Sequence, residues 1–244
     1  MKQVNIRCTA GDTRKSLTVL FYAAELLLYL TFLTLDLTHQ SAGLSNALKY
    51  SSILCCAVAA LFRCLFCHAK NGSGFLAAAL IFTAVSDYFL LFSDCYTPGL
   101  YTFCLAQTAY LFLLRLRLCQ TGSFLLRQLA IRLFGCVLLL PLLSQLTGEA
   151  LLFLIPLAFY AVSFAANIIL SSRACARLFF GLVLFALCDI NVLLFHLSDY
   201  LVLPAFLTDF FHSYSWFCMW LFYLPSQVLL TLCPLPGHPV KDRP

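Results

Sequence analysis

Two aspartates lie inside apolar stretches that are long enough to cross a membrane. Asp87 lies within residues 74–94, and Asp189 lies within residues 177–199. A carboxyl group at membrane depth is costly, so it is rarely incidental. Two neighbouring carboxyls in a medium of low dielectric share one proton. The pair therefore predicts a functional site, at which two close carboxyls can hold and transfer a proton.

The composition indicates an integral membrane protein. Of the 244 residues, 62% are hydrophobic and only 10% are charged, whereas soluble domains carry roughly 25% charged residues. The mean hydropathy is +0.93. The net charge of +5 does not indicate a nucleic-acid partner, because the basic residues are dispersed. We expect an all-α fold, a polytopic transmembrane helix bundle.

The apolar stretches predict about eight spans in a single transmembrane domain, residues 1–244. Residues 200–212 are too short to cross and are predicted to lie at the interface or to form a short lead-in helix. The first apolar stretch is longer than that of a signal peptide, so we expect an uncleaved helix. The predicted spans are about 17–35, 46–66, 74–93, 98–118, 125–146, 150–171, 177–197 and 214–233.

The charge distribution predicts the orientation. An even number of spans places both termini on one side. If that side is the cytoplasm, the inner segments hold all of the 15 Lys and Arg residues except Lys49. This matches the positive-inside rule, so we expect both termini to be cytoplasmic. Compact loops and basic inner segments favour a bacterial plasma membrane over the endoplasmic reticulum. The acidic residues assigned to outer loops are Asp36, Asp94, Glu149, Asp199 and Asp209.

Further polar residues are predicted at similar depths in the outer half of the bundle. The helical rise places Asp87 roughly 10 Å and Asp189 roughly 15 Å below the outer boundary. Glutamines at such depths can also serve as hydrogen-bonding links between helices, and Lys49 can extend to the headgroups. We predict catalytic roles for the two aspartates. The predicted substrate-binding residues are Lys49, Gln107, Tyr160, Tyr223 and Gln227.

The order and spacing of these residues resemble those of the YhhN-like, or lysoplasmalogenase, family of eight-helix membrane proteins. The resemblance runs from about residue 46 to residue 230. Lys49 and Tyr160 stand where the family's second and sixth helices carry a lysine and a tyrosine. Four segments look like family motifs: SDYFLL at 86–91, PGLYTFCLAQTAY at 98–110, GLVLFALCD at 181–189 and YLPSQ at 223–227. Four positions depart from the family pattern: Tyr50 for proline, Ser86 for glycine, Gln107 for histidine and Cys188 for serine.

The resemblance implies hydrolysis of the vinyl-ether bond of a lysoplasmalogen, a lysophospholipid-type membrane lipid. The products are a fatty aldehyde and a glycerophospho-base, and the reaction needs neither a metal nor another cofactor. Lys49 is then expected to meet the substrate phosphate. The expected task of the other binding residues, Gln107, Tyr160, Tyr223 and Gln227, is to orient water or glycerol oxygens.

Three other functions fit some of the same residues. Intramembrane carboxyls also serve proton coupling, so a transporter or binding protein for a lipid-like or cationic ligand is an alternative. A structural protein is another, although it explains two buried carboxyls poorly. A metal-dependent lipid hydrolase is the third, although the spacing of its residues fits no zinc signature. Its candidate ligands are His39, His196, His212, Asp94, Asp199 and Asp209.

Most of the 13 cysteines lie inside apolar runs, where they are expected to act as small apolar side chains. Cys64 and Cys67 form a CxxC pair at the end of a predicted span. Free buried thiols explain this pair better than a metal or redox site does.

Overall fold

The computed structural model describes residues 2–66, 72–93 and 95–234. Within these ranges the regular elements are all helices, which confirms the all-α class. Seven helices are long and apolar enough to cross a membrane, α1 (from Ser16) to α7, so a polytopic bundle is confirmed. The helices are α1 Lys2–Leu37, α2 Ala42–Phe66, α3 Ser73–Phe92, α4 Tyr96–Arg117, α5 Gly122–Thr147, α6 Leu151–Ser171, α7 Ala176–Phe195, α8 Leu197–Tyr200 and α9 Ala205–Thr231.

The last helix differs from the predicted final span at 214–233. With 27 residues, α9 is longer than the roughly 20 residues that a span needs, but it is not among the seven apolar helices. Its tryptophans, tyrosines, serines and glutamine lower its hydropathy. Residues 205–212 form its first two turns and continue directly into the rest of the helix. An interfacial position for residues 200–212 stays a prediction. No glycine or proline interrupts residues 205–224, so nothing ends the helix early.

The chain forms two compact units, one up to Cys55 and the other from Cys56 onward. The first contains α1 and the beginning of α2. In the second, α7 packs along α9, α3 packs along α4, and α6 contacts α4, α5 and α7. A single transmembrane domain stays a prediction.

Glycines allow close approach between helices that carry the predicted site. A Cβ atom at Gly181 of α7 would lie 2.8 Å from Leu230 Cδ2 of α9. A Cβ atom at Gly99 of α4 would lie 3.4 Å from the Ser86 carbonyl oxygen of α3. Small residues at such positions let helix backbones approach each other. The two helix pairs α3–α4 and α7–α9 are therefore tightly packed.

Pro156 lies inside α6, in agreement with its position within the predicted span at 150–171. A proline in a helix leaves the carbonyl four residues earlier without its usual donor. Here that carbonyl belongs to Leu152, and the Tyr101 hydroxyl of α4 donates a hydrogen bond to it over 3.4 Å. The neighbouring helix thus supplies a donor to the carbonyl whose usual partner proline removes.

Candidate active site

Asp87 lies on α3, where a tyrosine of α9 contacts it. The Tyr223 hydroxyl donates a hydrogen bond to Asp87 Oδ2 over 2.5 Å. Both side chains are buried, with 5% of each residue's surface exposed. The residue before the aspartate fixes α3 against α4, because the Ser86 hydroxyl donates a 2.5 Å hydrogen bond to the Gly99 carbonyl. Contacts with two helices therefore hold this carboxyl in place.

Asp189 has the same kind of partner on another helix. The Tyr160 hydroxyl of α6 donates a hydrogen bond to Asp189 Oδ2 of α7 over 2.6 Å. Tyr160 is buried, whereas Asp189 is partly exposed. Each predicted catalytic aspartate thus receives a hydrogen bond from one predicted tyrosine. A hydrogen bond of this kind holds the carboxyl in one orientation, and it is stronger when the carboxyl is ionised than when it is neutral.

Aromatic side chains connect the two aspartate–tyrosine pairs. The Phe185 ring of α7 lies 5.3 Å from the Tyr223 ring and 5.8 Å from the Phe103 ring, between ring centroids. Phe103 in turn lies 5.5 Å from Tyr160. The arrangement is a pair of carboxyls surrounded by apolar rings, where charge interactions are screened less than in water.

Gln107 is held in a different polar group. Asn167 Nδ2 of α6 donates 2.9 Å hydrogen bonds to the side-chain and main-chain oxygens of Gln107. Arg132 Nη2 of α5 donates a 2.6 Å hydrogen bond to Asn167 Oδ1. All three residues are at most 1% exposed. The charge distribution predicts Arg132 in an inner segment, whereas its side chain lies buried within α5.

Gln227 lies four residues after Tyr223 and so shares its face of α9. It is fully buried. Its Nε2 atom donates a 3.3 Å hydrogen bond to Ser226 Oγ. Its Oε1 atom has no hydrogen-bond partner among the residues that the structure describes. A buried acceptor without a donor is uncommon in proteins, and this one lies one turn from the tyrosine that contacts Asp87.

Lys49 belongs to the first unit and has a carboxylate partner there. Its Nζ atom lies 2.8 Å from Asp36 Oδ2, and the two side chains are only 2% and 5% exposed. The Ser45 hydroxyl also donates a hydrogen bond to Asp36. Asp36 had been assigned to an outer loop, but α1 extends to Leu37 and includes it. A phosphate-binding role for Lys49 stays a prediction, and it would compete with this ion pair.

The metal-site alternative involves residues that the structure describes only in part. His196 Nδ1 lies 3.0 Å from Asp199 Oδ2. Asp94 lies outside the described residues, as does Cys67 of the CxxC pair. Across residues 2–66, 72–93 and 95–234, no group of three or more His, Cys, Asp or Glu side chains is arranged to hold a metal ion.

Comparison with known families decides the membership. The model of the YhhN family matches residues 44–233. The chain belongs to the YhhN family. Comparison with curated proteins and with solved structures gives no match. Membership in the YhhN family fits a lysoplasmalogenase-like, multi-pass membrane protein, and the matched range contains both aspartate–tyrosine pairs.

Proposed function

We propose that this YhhN protein hydrolyses the vinyl-ether bond of a lysoplasmalogen, with Asp87 and Asp189 as its catalytic carboxyls. The observation that carries the proposal is a pair of hydrogen bonds, one from Tyr223 to the buried Asp87 and one from Tyr160 to the partly exposed Asp189. Two oriented carboxyls in apolar surroundings suit a reaction that passes through a cation. The basic inner segments support a bacterial plasma membrane as its location.

The reaction consumes one water molecule. A carboxylic acid protonates the β-carbon of the vinyl ether, and the double bond shifts to give an oxocarbenium ion. Water adds to the cationic carbon and loses a proton to the second carboxylate. The hemiacetal then collapses to a fatty aldehyde and a free glycerol hydroxyl. The same division of labour between two carboxyls operates in glycosidases, whose transition state is also oxocarbenium-like.

Exposure supports an assignment of the two roles. Asp87 is buried, and burial favours a neutral carboxyl, so Asp87 is the proton donor in this proposal. Asp189 is partly exposed, and it acts as the carboxylate that stabilises the cation and receives the proton from water. The Oε1 atom of Gln227, which has no hydrogen-bond partner within the described part of the chain, is a suitable acceptor for the attacking water. The phenol groups of Tyr160 and Tyr223 keep the carboxyls oriented.

The deciding experiment measures aldehyde release from a lysoplasmalogen by purified protein in detergent. The wild-type protein should release aldehyde, whereas folded Asp87→Asn and Asp189→Asn variants should each lose about 100-fold or more in kcat, as expected when a general acid or base is removed. A third variant, Asp209→Asn, provides a matched control, because it removes an acidic residue from the early part of α9 that the proposal does not use.

Retention of aldehyde release in either Asp variant would exclude the two-carboxyl mechanism. Absence of aldehyde with the wild-type protein would exclude this substrate and favour the transport alternative, in which the same carboxyls carry protons. Proton-coupled uptake of a labelled lipid-like or cationic ligand, abolished by Asp87→Asn, would then be the supporting result.

A further inference from the structure

Two cysteines that are far apart in the sequence meet at the ends of α7 and α9. Cys175 is the residue immediately before α7, and Cys233 lies two residues beyond the end of α9. Their sulfur atoms are 3.8 Å apart. Both cysteines are free thiols, and neither lies in a segment that qualifies as a membrane span.

Guanidinium groups fix the position of Cys233. Arg117 Nη2 of α4 donates a 3.3 Å hydrogen bond to Cys233 Sγ. Arg63 Nη2 of α2 donates a 3.0 Å hydrogen bond to the Cys233 carbonyl, and Arg177 Nη1 of α7 donates one of 3.2 Å to the Leu232 carbonyl. Basic groups at the C-terminal end of a helix interact favourably with its dipole. The end of α9 is therefore anchored beside Cys175 by three different helices.

The surroundings of Cys175 favour its thiolate. A hydrogen bond with Cys233, together with backbone N–H groups at the start of α7 and the Arg117 charge, lowers the pKa of Cys175 well below that of an ordinary thiol, although burial opposes the shift. The thiolate is the nucleophilic form of cysteine. Thiols with a lowered pKa are typical of helix N-termini and of sites beside basic residues.

The two thiols differ in their accessibility to solvent, which suits one to attack a reagent and the other to react afterwards. Cys175 is partly exposed, whereas Cys233 is completely buried. A reagent that approaches from outside can therefore reach Cys175 first. Cys233 then lies next to the sulfur that has reacted. This is the arrangement of an attacking cysteine with an adjacent resolving cysteine.

We propose that Cys175 and Cys233 form a thiol–disulfide exchange site that takes a low-molecular-weight disulfide. The Cys175 thiolate attacks one sulfur of the disulfide, forms a mixed disulfide and releases one thiolate. Cys233, on losing its proton to the solvent or to that thiolate, attacks Cys175 Sγ and releases the second thiolate. The products are one protein disulfide and two molecules of small thiol, so the protein pair is oxidised and the small disulfide is reduced.

The new bond would join the beginning of α7 to the end of α9. These two helices carry Asp189 and Tyr223, which are parts of the candidate active site. They are already tightly packed near this end, where Gly181 faces Leu230. The disulfide would therefore covalently join α7 and α9, the helices that carry Asp189 and Tyr223.

The test exposes reduced, purified full-length protein in detergent to excess glutathione disulfide. After an acid quench, non-reducing peptide mapping should reveal a Cys175–Cys233 linkage, in which the joined peptides weigh two hydrogen atoms less than the two reduced peptides together. The Cys233→Ser variant should stop at one glutathione adduct on Cys175. The Cys175→Ser variant should give no linkage and leave Cys233 unmodified, because Cys233 is buried.

Cys119→Ser is the matched control, because Cys119 is an exposed cysteine in the turn after α4, and its removal should leave the linkage intact. The proposal is overturned if wild-type protein yields no Cys175–Cys233 linkage while Cys119 carries an adduct. An adduct on Cys233 in the Cys175→Ser variant, at the rate seen on Cys119, would equally overturn the assigned roles. Peptide mapping of the wild-type protein tests whether the Cys175–Cys233 disulfide forms even if a variant fails to fold.

Discussion

The Tyr160 hydroxyl donates a hydrogen bond to Asp189 Oδ2 over 2.6 Å, which connects α6 to α7 at the candidate active site. We expect Tyr160→Phe to lower kcat/KM for aldehyde release by about 10- to 100-fold, because a hydrogen bond to a charged group contributes about 1.5–3 kcal/mol. Steady-state kinetics on a lysoplasmalogen measures the effect. Tyr223→Phe removes the hydrogen bond to Asp87, which is neutral in the proposal, and should have a smaller effect of about 2- to 10-fold, because a hydrogen bond between neutral groups contributes about 0.5–1.5 kcal/mol.

Tyr110 provides the control for both variants. It is a fully buried tyrosine of α4, but its hydroxyl has no hydrogen-bond partner among the described residues. Tyr110→Phe should therefore leave kcat/KM and the unfolding temperature unchanged or slightly raised. Equal losses of activity in Tyr110→Phe and Tyr160→Phe would show that the hydroxyl bonded to Asp189 has no special role.

The ion pair of Lys49 and Asp36 allows a second prediction. Lys49→Met should raise KM for a phosphorylated vinyl-ether substrate but not for a phosphate-free one. It should also lower the free energy of unfolding by about 3–5 kcal/mol, because the Asp36 carboxylate stays buried without its partner. Kinetics with the two substrates and denaturant unfolding in detergent separate the two effects.

A double variant separates phosphate binding from stability. Lys49→Met combined with Asp36→Asn removes both charges and should recover most of the lost stability. If Lys49 binds phosphate, KM for the phosphorylated substrate should stay high in the double variant. A KM that returns to the wild-type value along with stability would remove the phosphate-binding role and leave Lys49 a structural residue.

The sequence was sufficient to predict most of the helices and to select the two aspartates and two tyrosines at similar depths, for a physical reason. A long apolar run predicts a membrane helix by its length alone, and a carboxyl inside one stands out by its cost. Depth along a helix follows from the rise per residue, so Tyr160 and Tyr223 could be matched in depth to Asp87 and Asp189. Which tyrosine contacts which aspartate depends on how each helix is rotated, and sequence spacing does not determine that.

Other residues were missed because their role depends on contacts between distant helices. Arg132 was read as an inner-segment charge, although its guanidinium is buried against Asn167. Asp36 was predicted to lie in a loop because the predicted first span ends at residue 35, two residues before the end of α1 at Leu37. Cys175 and Cys233 are separated by 57 intervening positions and share no motif, so only the packing of α7 on α9 reveals their proximity. Of these residues, only Arg132 could have been recognised from the sequence, because an arginine within an apolar run predicts a buried polar contact.

The Arg132–Asn167 contact yields a third prediction. Asn167→Ala should lower the free energy of unfolding by about 2–3 kcal/mol, because it leaves a buried guanidinium and the Gln107 carboxamide without their partner. Denaturant unfolding in detergent provides the measurement. Combining Asn167→Leu with Arg132→Met should recover much of the loss, since it removes both polar partners at once. A double variant as unstable as the sum of the single variants would show that the two residues act independently.

The close approach of α7 and α9 at Gly181 yields the fourth prediction. A Cβ atom there would lie 2.8 Å from Leu230 Cδ2 and 3.5 Å from the Leu230 backbone nitrogen, and Leu230 is completely buried. Gly181→Ala should therefore cost about 1–3 kcal/mol of stability, as overpacking does. Because the two helices also carry Asp189 and Tyr223, the displacement should lower kcat in the variants that fold. Gly122→Ala is the control, since no atom lies within 4 Å of its added Cβ. Equal stability of the two variants would show that α7 and α9 can separate without cost.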